Sequence, residues 1–338
     1  MTASAAGPGP EKFAGCLIGQ SLGDALGFVV EGQPPDACRA YVEVVVKGGR
    51  AARGQRGPFA FGQYSDDSQL ARELLQSYVA CGGFEAADYA GRVAAIFTEG
   101  RIVGRGRSTE AAALRLAAGV PWTEAGTPPP AAGNGSAMRA GPIGLIFHDD
   151  PERLIAAAHD QGRLTHADAR CSAGAVAIAG AVALALDEAP INTAAFLGTL
   201  SGWAGAIEPS LAAYLEELAG WVALPPAEAV KKIAGAGHEP GFGEPWPGIS
   251  PFVVPSVLWS LYAFLRTPDD YWQAVCTAIA VGGDVDTTAA MTGAIAGARR
   301  GLAAIPADLA ARLNDQGTWG TEALTALARR TWEIKTGG

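Results

Sequence analysis

The stretch 171–186, which reads CSAGAVAIAGAVALAL, decides the fold class of this chain. It carries no charged residue, and its 16 residues are fewer than the about 20 that a bilayer-spanning helix needs. A helix that is apolar on most faces must be surrounded by other helices. The stretch therefore predicts a buried central helix, whose many Gly and Ala residues would let neighbouring helices approach closely.

Helical periodicity recurs along the rest of the chain. The only compact run of β-branched residues, the pattern typical of a strand, is 42–46. Because strand signals are so scarce, the sequence predicts an all-α bundle around the buried helix. The segments with helical periodicity are 13–28, 69–79, 84–98, 109–118, 151–159, 167–186, 193–203, 210–221, 255–265, 269–281, 288–302 and 306–312.

Pro and Gly cluster between some of these segments, which indicates loops, and long loops in a compact helical domain often cover a site. No linker-like composition divides the chain, and no internal repeat is visible. We therefore predict a single domain over residues 11–335, preceded by a flexible tail over residues 1–10. The predicted loops are 48–62, 121–135 and 237–255.

Composition limits the classes of function. The chain has 338 residues, of which 49% are hydrophobic, and a net charge of −9. A broad electrostatic grip on nucleic acid or on an anionic membrane needs clustered Lys and Arg, so neither is expected as a partner. The five scattered cysteines show no C-x-x-C spacing, and no basic, then apolar leader opens the chain. These features predict a soluble, cytoplasmic protein with reduced thiols; the sequence leaves the oligomeric state open.

Two acidic clusters lie in opposite halves of the chain: 65–68 reads SDDS and 283–287 reads GDVDT. Each precedes an apolar, helix-like run. If the clusters meet in space, their carboxylates repel one another and require cations, and oxygen ligands favour Mg2+ or Mn2+. The clusters thus predict a binuclear metal centre. Taken singly, each has an ordinary alternative, because acids at a helix start satisfy free N–H groups. The glycine pair 282–283 favours the metal interpretation, since glycine permits close backbone approach.

Other candidate residues have weaker signals when taken alone. The run 133–139, GNGSAMR, presents backbone N–H groups and a hydroxyl that suit phosphate, although a plain turn is the alternative. His166 stands at a helix start, where a structural role is the common one. Glu31 follows the first helix and alone is an exposed loop acid. The basic run 101–107 is more typical of a solvated loop than of a nucleic-acid site.

Taken together and in this order, these segments resemble the ADP-ribosylglycohydrolase family. The resemblance implies an all-α orthogonal bundle with two divalent cations at its centre. It covers roughly residues 11–300, and its ordered set of motifs is far more specific than any one of them. The matching segments are 15–27, 65–70, 133–139, 165–168, 254–257 and 282–287.

The resemblance also implies roles for particular residues. Glu31 matches a mobile loop glutamate that gates the site or assists catalysis, and Asp66 or Asp67 is the other candidate for the general base. The implied metal ligands are Ser65, Asp66, Asp67, Asp284, Asp286 and Thr287. The implied substrate-binding residues are Gly133, Asn134, Gly135, Ser136, Met138, Arg139 and His166, of which the first four would hold the diphosphate.

The predicted reaction is hydrolysis of the bond at the ribose anomeric carbon, with release of ADP-ribose. A ribose diol can chelate two hard cations, and a carboxylate can accept the proton of the attacking water. ADP-ribosylated arginine in proteins is the first predicted substrate. The alternatives are O-linked ADP-ribose on serine or a small metabolite, a non-catalytic binding or structural member of the family, and a two-metal phosphoesterase.

Three positions depart from the family pattern. Ser65 and Ser68 stand where the family usually has threonine, and Val285 stands where threonine commonly separates the two aspartates. Serine keeps the oxygen that a metal would bind, and Val285 removes no primary ligand. These changes therefore bear on substrate preference rather than on the metal site.

Overall fold

The computed structural model describes residues 7–238 and 246–337. Residues 1–6 of the predicted tail and 239–245 of the predicted loop 237–255 lie outside the described residues. Pro10 already begins the first helix. The α-helices of the described part are α1 (Pro10–Phe28), α2 (Pro35–Ala40), α3 (Asp66–Cys81), α4 (Ala86–Thr98), α5 (Arg107–Ala117), α6 (Gly141–Ile146), α7 (Pro151–Arg163), α8 (Ala169–Ala185), α9 (Thr193–Gly205), α10 (Pro209–Trp221), α11 (Pro226–Ile233), α12 (Val253–Arg266), α13 (Tyr271–Ile279), α14 (Val285–Arg300), α15 (Ala307–Ala310) and α16 (Thr321–Thr336).

Strand structure is confined to one short hairpin within the described ranges. Strand β1 (Gln55–Arg56) pairs antiparallel with β2 (Phe59–Ala60). The same ranges also contain three 3-10 turns: Ala51–Arg53, Asn134–Ser136 and Leu302–Ala304. The predicted all-α class is confirmed, and the helices α2, α6, α11 and α16 are additions that the periodicity did not indicate.

The strand signal at 42–46 proves wrong, because Tyr41–Val46 forms a turn of π-helix that continues α2. Val42 and Val46 stand four residues apart and are both buried, whereas Val44 is exposed. The run therefore buries one helical face against the core, which outweighs the preference of β-branched residues for strands.

Helix α8 is the buried helix that the opening stretch predicts. All its residues from Cys171 to Ala185 are buried except Leu184, which is half-buried. Helix α14 shares the central position, since every residue from Val285 to Arg299 is buried. None of the helices in the described ranges is long and apolar enough to cross a membrane. All five cysteines are free thiols, and four of them are buried.

Helices α1 and α14 run antiparallel in direct backbone contact. Glycines recur every fourth residue along the buried face of α1, and each faces a backbone carbonyl of α14. An added Cβ would lie 2.5 Å or less from that oxygen, closer than real Cβ contacts, so only glycine permits this separation. The pairing places the end of α1 beside the start of α14, where the second acidic cluster lies. The facing pairs are Gly15 with Gly297, Gly19 with Gly293, Gly23 with Ala289 and Gly27 with Val285.

Candidate active site

The first acidic cluster opens α3 and is held there by a buried aspartate of α1. Asp24 is fully buried. Its carboxylate accepts hydrogen bonds from the backbone N–H of Ser65 at 2.9 Å and of Ser68 at 3.1 Å, and from the Ser68 hydroxyl at 2.7 Å. Because Asp24 accepts from two of the free N–H groups of the helix start, it fills a capping role that Asp66 or Asp67 would otherwise have. Their carboxylates remain available for another partner.

Asp67 points into the protein interior. Its Oδ2 accepts a hydrogen bond from the Ser65 hydroxyl at 2.9 Å, while its Oδ1 is buried and has no hydrogen-bond partner among the described residues. Gln20 of α1 donates to the backbone carbonyls of Asp67 and Met138, each at 2.9 Å. Asp66 lies nearer the surface, and a Cβ added to Gly104 would stand 2.8 Å from its Oδ1. The basic run 101–107 therefore forms a wall of the site beside Asp66.

The second acidic cluster opens α14 behind the glycine pair. Gly282 and Gly283 have φ of +80° and +88°, a region that favours glycine. Their backbone groups form hydrogen bonds with two other segments of the chain. The Gly283 N–H donates to Gln33 O at 3.0 Å, and Gly282 O accepts from the Ile249 N–H at 3.0 Å. The Asp284 N–H donates to Ile249 O at 2.8 Å. These contacts fix the start of α14 against the segment that follows α1.

Glu31 joins the second cluster. Ligand oxygens of Glu31, Asp284 and Asp286 all lie within 4.8 Å of one another, a spacing that suits one shared cation. Glu31 also forms an ion pair with Arg56 of β1, whose guanidinium donates to Phe28 O at 2.9 Å and stands over the Phe28 ring. Its side chain is 24% exposed, so Glu31 is placed at the edge of the cluster.

The carboxylates of the two acidic clusters are close enough to change one another's pKa. Burial and then Asp24 raise the pKa of Asp67 well above its usual range, with Asp66 and Asp284 adding to the effect. Burial and then Glu31 raise the pKa of Asp286 in the same way, with Asp284 and Asp67 contributing. Carboxylates from both halves of the chain thus disfavour one another's charged forms. This is the repulsion between carboxylates that the sequence predicts, and bound cations would neutralise it.

The donor set suits hard divalent cations. It offers carboxylate and hydroxyl oxygens, without a thiolate or imidazole beside them among the residues named above. The buried, unpartnered Oδ1 of Asp67 needs a positively charged or hydrogen-donating partner. The side chains of Ser65 and Thr287 are also buried at the two helix starts. The residues that are present therefore fit a cation centre.

The predicted phosphate turn lies directly beside the second cluster. Asn134 donates to the Asp284 carboxylate at 2.5 Å and to the Ser256 hydroxyl at 2.9 Å. The Ser136 hydroxyl donates to Cys171 O at 2.8 Å, so this hydroxyl proton is used within the protein. Gly135 packs on the His166 ring, since an added Cβ would stand 2.7 Å from its Cε1. The turn thus contacts the acidic cluster through Asn134 and His166 through Gly135.

Two of the predicted substrate-binding side chains do not reach the surface of this site. The Arg139 side chain is fully buried and donates to Gln161 and Thr165. Met138 is also buried, and its backbone carbonyl accepts from Gln20. Neither side chain is placed to contact a ligand directly, because other protein groups surround both. Arg139 acts at most through its neighbours.

Three residues of the site escaped the sequence analysis as site residues: Asp24, Gln20 and Arg56. Asp24 and Gln20 stand in the matched segment 15–27, yet their partners lie 41 or more residues away in the chain. A polar residue on an otherwise apolar helix is the signal that indicates such a buried partner. Arg56 has no comparable signal, because its loop is rich in glycine and charge.

The raised carboxyl pKa values predict how the cation-free protein responds to pH. Burial and Glu31 raise the pKa of Asp284 from 3.8 to about 7. A carboxyl whose pKa is higher in the folded state stabilises the fold fully below its unfolded pKa, and this contribution is lost as pH rises through the folded value. We therefore expect the Asp284 contribution to fall between about pH 4 and pH 7 in EDTA.

Urea unfolding of the wild type and of Asp284→Asn across this pH range in EDTA measures the effect. His166 contributes with the opposite sign, because burial and Arg139 lower its pKa to about 3, but both proteins share it. The difference between the two proteins therefore isolates the carboxyl. A wild-type advantage that grows as pH rises would contradict the prediction.

Comparisons with known proteins lead to one family. The sequence profile of the ADP-ribosylglycohydrolase family matches residues 8–337. The chain is 30% identical to ADP-ribosylhydrolase ARH3 of Gallus gallus, over 88% of each chain. It is 26% identical to the ADP-ribosylarginine hydrolase Tri1 of Serratia proteamaculans, over 88% of this chain and 73% of that protein. A solved structure titled "ADP-ribosylglycohydrolase-related protein complex" superimposes with a TM-score of 0.70 at 27% identity, over 96% of this chain and 98% of the other.

Proposed function

The chain belongs to the ADP-ribosylglycohydrolase family, and on this premise we propose that it releases ADP-ribose from ADP-ribosylated arginine with the help of two divalent cations, Mg2+ or Mn2+. Its family makes it a glycosidic-bond hydrolase. The observation that carries the metal dependence is the buried acidic cluster, in which carboxylates of both halves raise one another's pKa while Asp67 Oδ1 has no partner in the described part of the chain.

We assign roles from exposure and contacts. Ser65, Asp67, Asp284, Asp286 and Thr287 would hold the cations, because their oxygens are buried at the two helix starts. Cations bound there would supply Lewis-acid stabilisation of the developing charge and a template for the ribose diol.

Asp66 is the carboxylate best placed to accept a proton from water. It faces Gly104 at the wall of the site, and it is the more exposed of the two first-cluster aspartates, at 8% against 2% for Asp67. In the reaction, the bond from the anomeric carbon to the acceptor nitrogen breaks and the guanidinium leaves as a neutral guanidine. A bond to the water oxygen forms, and the water proton passes to Asp66. Glu31 is engaged by Arg56, which supports a gating role for it.

Two observations bear on the acceptor. The relative Tri1 is named for ADP-ribosylarginine, which supports arginine as the acceptor. Glu31 at the edge of the acidic cluster, however, already forms an ion pair with one guanidinium, that of Arg56. The same ion pair favours the second candidate, an O-linked acceptor on serine or a metabolite, because a second guanidinium would meet the positive charge of Arg56.

The test is release of ADP-ribose from arginine-linked and serine-linked substrates in parallel, with Mg2+, Mn2+ or EDTA. The proposal expects cation-dependent release, with the arginine-linked substrate preferred. Release in EDTA at the same rate would refute the metal dependence. Binding of ADP-ribose without release from either substrate would identify a non-catalytic member, and formation of AMP would identify a phosphoesterase.

Arg56 provides a sharper test of the acceptor. We expect Arg56→Gln to raise kcat/KM for the arginine-linked substrate by about fivefold relative to the serine-linked one, because a half-exposed like charge costs about 1 kcal/mol. Arg53→Gln is the matched control, since Arg53 is exposed in the same loop and the charge change is equal. An unchanged ratio for Arg56→Gln would show that the acceptor does not approach this guanidinium.

A further inference from the structure

Behind the predicted phosphate turn lies a fully buried arginine that has no carboxylate partner in the part of the chain that the structure describes. Arg139 donates from Nε to Gln161 Oε1 at 2.9 Å, and from Nη2 to Gln161 O and to the Thr165 hydroxyl, both at 2.7 Å. Its guanidinium also stands over the Tyr89 ring, 5.8 Å from the centroid. A buried charge is costly unless its contacts are well placed, so this arrangement calls for a role beyond packing.

The hydroxyl proton of Thr165 has one good acceptor. Thr165 Oγ1 accepts from Arg139 and lies 2.9 Å from His166 Nδ1 and 3.4 Å from Gly162 O. Gly162 O already accepts from the backbone N–H groups of Thr165 and His166, at 3.2 and 3.1 Å. A carbonyl oxygen has two lone pairs, so both are in use. The hydroxyl proton therefore belongs on the short contact to Nδ1.

Arg139 favours the same assignment electrostatically. If Nδ1 carried the proton, its N–H dipole would point at an oxygen that already faces a guanidinium. With the lone pair on Nδ1, the hydrogen bonds run in one direction, from Arg139 to Thr165 to His166. Chains of this kind polarise one another and strengthen each link. Burial together with Arg139 also lowers the pKa of His166 to about 3, which keeps the ring neutral.

The other ring nitrogen faces the turn. His166 is 2% exposed, and its Nε2 has no hydrogen-bond partner within residues 7–238 and 246–337. A Cβ added to Gly133 would stand 3.4 Å from Nε2, so this atom lies against the turn without a residue between them. A ring N–H without a partner, on a side chain that is otherwise buried and lies beside a turn of backbone N–H groups, suits an anionic oxygen.

We propose that Arg139 and Thr165 fix the tautomer of His166 that carries its proton on Nε2, so that His166 donates a hydrogen bond to a phosphate oxygen held at Asn134–Ser136. Arg139 and Thr165 are positioning residues, and His166 is the residue that contacts the ligand. This inference rests on the proposed function for the identity of the ligand. The tautomer itself does not depend on that function.

The first test is spectroscopic and uses the full, cation-free chain. Nitrogen-15 labelling of histidine distinguishes a protonated from an unprotonated ring nitrogen, and His166→Gln identifies the signal. We expect a single species with the proton on Nε2 in the wild type and in Thr165→Ser, and a mixture of tautomers in Thr165→Val. A proton on Nδ1 in the folded wild type would overturn the proposal, whether or not the protein is active.

The second test measures ligand binding. We expect Thr165→Val to weaken ADP-ribose and inorganic diphosphate binding by about tenfold or more, since a hydrogen bond to a charged oxygen is lost, and Thr165→Ser to restore it. With a competent substrate, KM should rise more than kcat falls. Unchanged affinity in a folded Thr165→Val protein would refute the relay. If only the proposed function fails, no hydrolysis will be seen, but the wild type will still carry the proton on Nε2 of His166 and Thr165→Val will still weaken diphosphate binding.

Discussion

Replacement of Asp286 with asparagine is expected to lower ADP-ribose release by at least about 100-fold, because residues that only support a metal ligand already cost about 10- to 100-fold when changed. Asparagine keeps the oxygen that accepts from the Thr287 N–H at 2.9 Å, so the local helix start is preserved. The change removes one negative charge from the buried cluster. Cation affinity, measured by calorimetry with Mn2+, should fall with activity.

The same substitution should stabilise the cation-free protein. Burial, Glu31 and Asp284 hold the pKa of Asp286 well above its usual range, so its charged form is unfavourable there. If Asp286 were only an ordinary acid at a helix start, Asp286→Asn would destabilise the fold. Asp308→Asn is the matched control, since Asp308 is an exposed acid in the first turn of α15. A loss of stability in both variants, with activity retained, would contradict the metal centre.

Replacement of Gly293 with alanine is expected to lower the free energy of unfolding by about 3 kcal/mol or more. The added methyl carbon would stand 2.2 Å from the backbone oxygen of Gly19, and no rotamer can relieve a clash at Cβ. Helices α1 and α14 would have to separate. That separation also moves Asp24, which holds the first acidic cluster, away from Asp286, so cation affinity should fall as well.

Gly198→Ala is the control for this prediction. Gly198 also lies within a helix, α9, but it is exposed and an added Cβ there meets no atom within 4 Å. The gain in helix propensity should raise stability by about 0.5 to 1 kcal/mol. Urea unfolding of both variants gives the comparison. Equal stability of the Gly293→Ala protein and the wild type would show that the two helices need no close contact.

Local patterns in the sequence account for much of the fold. The uncharged stretch 171–186 predicts α8 and its burial, and the acidic clusters predict two helix starts, which the structure places at Asp66 and Val285. Both helices begin three residues before the predicted positions, because the acidic residues themselves lie in the first turn. The missed helix α16 buries only Leu324, Leu327, Ala328 and Thr331, too narrow a stripe for clear periodicity.

The site was less accessible from sequence where partners are distant. The Arg139 side chain points toward its hydrogen-bond partners Gln161 and Thr165, which lie 22 and 26 residues further along the chain. The resemblance implies that Arg139 binds substrate, yet the fold turns this side chain inward. Asp24 likewise reads as one polar residue in an apolar helix until its contact with Ser65 is known.

By itself, the sequence determined where acidic residues open helices and which helices are buried, since helix starts and apolar faces are encoded within a few turns of the chain. Only the tertiary structure decided the distances between the acidic residues. The glycine contacts between α1 and α14 bring Asp24, Glu31 and the Asp284–Asp286 pair to one place. The physical reason is that carboxylates repel, so packing elsewhere in the bundle must bring them together in the cation-free protein.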